Sequence, residues 1–137
     1  MATRSPRPAG LTTIADMGQF RFLFTAHDYE GTVAFYTTTL GLPVVHSWDD
    51  DGRGTIVTAA GSGQIEIFDG DADAAPPAGV ALAWEVEDID AEYAALSARG
   101  VEFLGPPQDQ PFGHRNATFS APENLTITLF TVIGEEP

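Results

Sequence analysis

Apolar and polar positions alternate with a period of two in Gly63-Gln64-Ile65-Glu66-Ile67-Phe68-Asp69, which predicts a strand with Ile65 and Ile67 on one face and Gln64, Glu66 and Phe68 on the other. Phe20 to Thr25 alternates likewise, with Phe20, Phe22 and Phe24 opposed to Arg21, Leu23 and Thr25. Behind it, Asp28 is a capping residue type, Val33, Tyr36 and Leu40 recur at helical spacing, and Gly41 predicts the helix stop. Strand-like runs at Val44 to Trp48 and Thr55 to Ala60 follow, separated by the turn stretches Asp49-Asp50-Asp51-Gly52 and Gly61-Ser62-Gly63. The first half reads βαβββ.

Gly70 to Gly79, which contains Pro76 and Pro77, predicts an extended linker, and then the pattern starts again. Val80 to Val86 reads as a strand, Asp88 caps a helix carrying Tyr93 and Leu96 on one face, and Gly100 ends it. Val101 to Leu104 is expected as the next strand, Gly105 to Gly113 as a Pro-rich loop, and Arg115 to Ser120 and Leu125 to Val132 as the closing strands. Asp28 and Asp88 stand 60 positions apart, so the halves form a repeat. The expected class is α+β: two βαβββ modules forming a curved mixed sheet with a central trough. The modules span residues 19–69 and 80–132, joined by the linker 70–79 and flanked by a mobile tail over 1–18 and a short tail over 133–137.

Composition narrows the partners. A chain of 137 residues with 43% hydrophobic residues has one domain's worth of core, and zero cysteines exclude disulfides and thiolate chemistry. With no long apolar run and no hydrophobic leader, the expectation is a cytoplasmic protein with no membrane partner. Twenty acidic residues against six arginines, with no lysine, give a net charge of −14. Affinity for nucleic acid comes from phosphate neutralisation, so that partner is excluded, whereas an acidic field favours a cationic ligand.

Several separated stretches agree in order with one family. Asp28-x-x-x-Thr32-x-x-Phe35-Tyr36-x-x-x-Leu40-Gly41-Leu42, then Val86-Glu87-Asp88 with Ala98-Arg99-Gly100-Val101, then Pro111-Phe112-Gly113 and Ala121-Pro122-Glu123-Asn124 together resemble the vicinal-oxygen-chelate superfamily of glyoxalases, bleomycin-resistance proteins and extradiol dioxygenases. The resemblance covers about residues 20 to 132 and implies that fold, often as a homodimer. In metal-dependent members a His on the first strand of each module and a Glu on the last meet in the trough. Carried onto this chain, those corners fall on Arg21, Glu66, Ala81 and Thr128. Only Glu66 retains a ligand side chain, and a divalent ion needs at least three.

The expectation is therefore no metal and no cofactor, with an Arg21–Glu66 ion pair where the ion would sit. Strand phase adds Leu23, Gln64, Phe68, Ala83, Glu85, Thr126 and Phe130 to the lining, and the resemblance adds Phe112, His114 and Arg115 at the loop that borders the trough. Leu82, Trp84, Val86, Ile127 and Leu129 are expected beneath the helices. His27 and His46 read as ordinary loop and strand histidines, because their spacing matches no metal template. The resemblance implies a metal-free protein that binds a small aromatic or cationic organic molecule in a resistance or sequestration role. The alternative is a lyase, isomerase or dioxygenase with Glu66 as catalytic base, which an adjacent guanidinium disfavours by stabilising the ionised carboxylate.

Overall fold

The computed structural model describes residues 18–59 and 61–136. The expected N-terminal tail, with Arg4 and Arg7, thus lies outside the described residues except for Gly18, as does Ala60. The chain runs β1 (Phe20–Ala26), α1 (Tyr29–Ala34), a π-helical turn (Phe35–Thr39), β2 (Val44–Trp48), β3 (Gly54–Thr58), β4 (Gly63–Asp69), β5 (Ala81–Glu85), α2 (Ile89–Ala98), β6 (Gln108–Asp109), β7 (His114–Ala121) and β8 (Leu125–Val132). Two mixed four-stranded sheets result, ordered β1-β4-β3-β2 and β5-β8-β7-β6. In each, the first strand pairs parallel with the last, as a βαβββ repeat requires.

Local chemistry sets the helix limits. Asp28 and Asp88 accept the backbone N–H of Gly31 and Ala91, satisfying donors that a first helical turn leaves open. Gly41 and Gly100 end the helices at φ +74° and +93°, where a β-carbon would be strained. The expected single first helix widens after Ala34. The Leu40 N–H reaches the Phe35 carbonyl, and the Thr37 hydroxyl donates to the Val33 carbonyl at 2.7 Å. Threonine competes in this way with the regular ladder.

The second correction concerns Val101 to Leu104, which forms no strand. Phe103 makes one isolated bridge to Phe119, and Leu104 donates to the Thr118 carbonyl. Gly105-Pro106-Pro107 then leaves the sheet, since proline cannot donate to a ladder. The edge strand forms later, as two residues inside the stretch expected to be loop, with Gln108 opposite Asn116 and Asp109 opposite Arg115.

One hydrophobic core serves both sheets. Phe24, Ile65 and Ile67 from the first sheet and Phe119, Ile127 and Leu129 from the second are buried in it with Tyr36, Ile89 and Leu96 from the helical layer. Leu82, Trp84 and Val86 pack against it, as their strand phase predicts. The π-helical turn lies between the sheets: Tyr36 meets Phe24 with ring centroids 6.4 Å apart, and the adjacent Phe35 meets Phe119 at 6.1 Å. Both sheets turn their apolar faces to this shared layer.

Candidate functional site

Parallel register places Arg21 opposite Gln64, Leu23 opposite Glu66 and Thr25 opposite Phe68, so these six share the outer face of the first sheet. Antiparallel pairing adds Ile56 opposite Glu66, and beyond it His46 and Trp48. The expected ion pair forms, with Arg21 Nη1 donating to Glu66 Oε1 at 3.1 Å. The Arg21 side chain is 37% exposed and that of Glu66 only 13%, so the pair lies flat with the carboxylate sheltered and the guanidinium half open.

A strip of rings borders it. The Trp48 indole lies across Gly54, where any β-carbon would collide with it. It meets the Phe68 ring edge-on at 5.8 Å and stacks on His46 at 5.9 Å. The sequence left Trp48 without an assignment, because a lone tryptophan reads equally well as core. Gly54 on the neighbouring strand is what lets it lie flat.

On the second sheet Ala81, Ala83 and Glu85 stand opposite Thr126, Thr128 and Phe130, again on the outer face. Thr128 exchanges a hydroxyl hydrogen bond with Thr118 at 2.6 Å, and Ala81 offers no donor atom. His114 stacks on Phe130 with centroids 4.2 Å apart and planes 6° apart, and Phe112 meets His114 edge-on at 5.2 Å. Arg115 faces the other way and binds Asp90 and Asp109. Those hydrogen bonds hold the Asp90 carboxyl below the usual carboxylate range and push the Arg115 guanidinium above its own. Arg115 is thus a structural clamp between α2, β6 and β7, and it is withdrawn from the expected lining.

The four corner positions therefore divide into two pairs, Arg21 with Glu66 on one outer face and Ala81 with Thr128 on the other. Within one chain these pairs stay on separate sheets, with the π-helical turn packed between Phe24 and Phe119, although Gln64 of the first sheet and Ala83 of the second line one cavity with Phe20, Phe22, Leu82 and Trp84. Their chemistry does not suit a divalent ion: one carboxylate is engaged by a guanidinium, one corner has no donor, and one hydroxyl is already hydrogen-bonded. Among the described residues no cluster of three or more His, Asp or Glu side chains could hold a metal ion.

Sequence reasoning missed Glu123. Its side chain is 1% exposed, yet it accepts the backbone N–H of His27 at 2.8 Å and of Asp28 at 3.2 Å, the His27 ring at 3.0 Å and the Thr32 hydroxyl at 3.4 Å. Burial pushes this carboxyl up, and the His27 N–H, the His27 ring and the Asp28 N–H outweigh it, leaving it below the usual range. Glu123 and Asn124 both adopt the left-handed region, at φ +65° and +62°, which turns the carboxylate inward from the β7–β8 connection. The only signal in the sequence was the Ala121-Pro122-Glu123-Asn124 string, with a partner 96 positions away.

Two βαβββ modules of this topology, with their first- and last-strand corners on the outer sheet faces, define the class of protein. The family model of the glyoxalase/bleomycin resistance protein/dioxygenase superfamily matches residues 18–129, and the chain belongs to that superfamily. Among solved structures, it is similar to a glyoxalase/bleomycin resistance protein/dioxygenase from Nocardioides, with 28% identity, 93% of this chain and 91% of that one covered, and a TM-score of 0.71. It is also similar to TnmS3, an antibiotic binding protein from Streptomyces sp. CB03234, with 28% identity, coverage of 88% and 99%, and a TM-score of 0.72. A glyoxalase/bleomycin resistance protein from the same Streptomyces strain shows 29% identity, coverage of 80% and 96%, and a TM-score of 0.64. No curated protein matches the chain. No helix among the described residues is long and apolar enough to cross a membrane.

Proposed function

We propose that two copies of the chain associate, the outer face of the first sheet in one copy opposing the outer face of the second sheet in the other. Each of the two resulting troughs takes up a small aromatic or cationic organic molecule without a metal, in a resistance or sequestration role. The observation that carries this reading is the Arg21–Glu66 pair at 3.1 Å, which uses the only carboxylate among the four corners. The exposed outer faces support the pairing of copies: β1 exposes Leu23 by 52%, and β5 exposes Ala81 and Ala83. TnmS3, an antibiotic binding protein, supports the ligand class. The ring strips beside Phe68 and Phe130 offer stacking surfaces, and the acidic charge favours a cation.

Catalysis is the second reading, and the same pair weighs against it. An arginine bonded to Glu66 stabilises the carboxylate and weakens it as a base. Equilibrium dialysis separates the two. The expected result is saturable uptake of proflavine or bleomycin and no stoichiometric retention of nickel or zinc. Retention of about one metal ion per chain, with methylglyoxal–glutathione turnover lost in Glu66→Gln, would reverse the assignment.

A further inference from the structure

Beyond β8 the chain does not leave the sheet. It turns back over the loop that precedes β7: the Ile133 N–H donates to the Gly113 carbonyl at 2.9 Å and the Gly134 N–H donates to the same oxygen at 3.2 Å. Gly113 has φ +87°, and a β-carbon there would collide with the Glu135 carbonyl, so the strap crosses where only glycine leaves room. The strap ends against His114, whose Nε2 lies 2.5 Å from Glu136 Oε2. In that contact the imidazole lies flat, parallel to Phe130 at 4.2 Å, with Phe112 edge-on at 5.2 Å. The His114 side chain is 18% exposed and that of Glu136 is 48% exposed, so the shelf is sheltered and the strap is reachable from solvent.

We infer that residues 133–136 form a strap whose Glu136 positions the His114 ring as half of an aromatic shelf on the outer face of the second sheet, and so sets the affinity of that face for planar ligands. Glu136 is a positioning residue: it acts through His114 and touches no ligand itself. Three features converge on this. The strap is anchored by two backbone hydrogen bonds that do not involve Glu136, so its course does not depend on the ion pair. The glycine beneath it allows the close approach. An imidazole at a strand end has several staggered side-chain rotamers open to it, and a stacked ring loses most of its advantage when it rotates. The ligand consequence rests on the function proposed above, whereas the positioning of the ring does not.

Two readouts on the full chain test it. In NMR spectra, stacking on Phe130 shifts the His114 ring protons upfield, and Glu136→Ala should abolish most of that shift. Glu136→Gln, which keeps an oxygen able to accept from the imidazole, should restore it. Gly113→Ala, which expels the strap by a separate route, should reproduce the effect of Glu136→Ala. Proflavine affinity should fall about two- to tenfold in Glu136→Ala and Gly113→Ala and recover in Glu136→Gln. An unchanged His114 shift in both weakened variants overturns the inference, as does an altered shift with unchanged proflavine affinity. If the wild-type chain binds no proflavine, the proposed ligand class fails, and the ring shift alone then decides whether the strap holds His114.

Discussion

Glu123 is a carboxylate with almost no contact with water, and the groups around it make that tolerable. Two backbone donors, an imidazole and a hydroxyl saturate its oxygens, and together they tie the β7–β8 connection to the start of α1. Its folded-state pKa lies below the ordinary carboxylate value, so its contribution is fully present above about pH 4.3 and is lost as the pH falls through the folded value. Glu123→Gln should therefore cost about 2–4 kcal/mol at pH 7, measured by urea denaturation, because it leaves charge-assisted donors poorly matched. The gap between the variant and the wild type should narrow as the pH falls below about 4.3 and close beneath the depressed folded-state value. A gap that stays constant from neutral to strongly acid pH would contradict this role. The residue was not legible in the sequence: nothing local distinguishes a glutamate in a turn that is solvated from one aimed at a helix start far away in the chain. Arg21 and Glu66 were legible, because strand phase and the absence of competing donors fix their common face.

Single elements were read well where their signals are local. Alternation gave the faces of β1, β4, β5 and β8, and capping aspartates with terminal glycines gave both helix limits. Two elements depended on something not local. The π-helical turn carries the Thr37 hydroxyl on the Val33 carbonyl, a competitor to the regular ladder, and β6 follows from where the chain rejoins the sheet after Pro106-Pro107. Neither has a hydrophobic period. The ring strip on the first sheet has a similar origin, since Trp48 needs the bare backbone of Gly54 on the next strand. Gly54→Ala should lift the indole away from Phe68. Expected are a red-shifted Trp48 emission, isolated in a Trp84→Phe background, and weaker near-ultraviolet dichroism, with the far-ultraviolet spectrum unchanged. An unchanged emission would mean that the indole is not held by that approach.

For the whole molecule, the repeat and its class were legible from two matched sets of signals 60 residues apart, while the arrangement of the modules was not. Alternation says which residues share a face of a sheet but not what each face meets. The sheets share one core with the π-helical turn between them, and that packing places the four corners on two separate sheets, while Gln64 and Ala83 meet at one cavity. In the dimer proposed above, a site that joins all four corners takes an arginine–glutamate pair from one copy and an alanine and a hydrogen-bonded threonine from the other. Native mass spectrometry of the full chain as purified tests this account in one spectrum. The predicted species has twice the 14.6 kDa chain mass and carries organic adducts but no metal. A monomer, or a dimer with one transition-metal ion per chain, would contradict it.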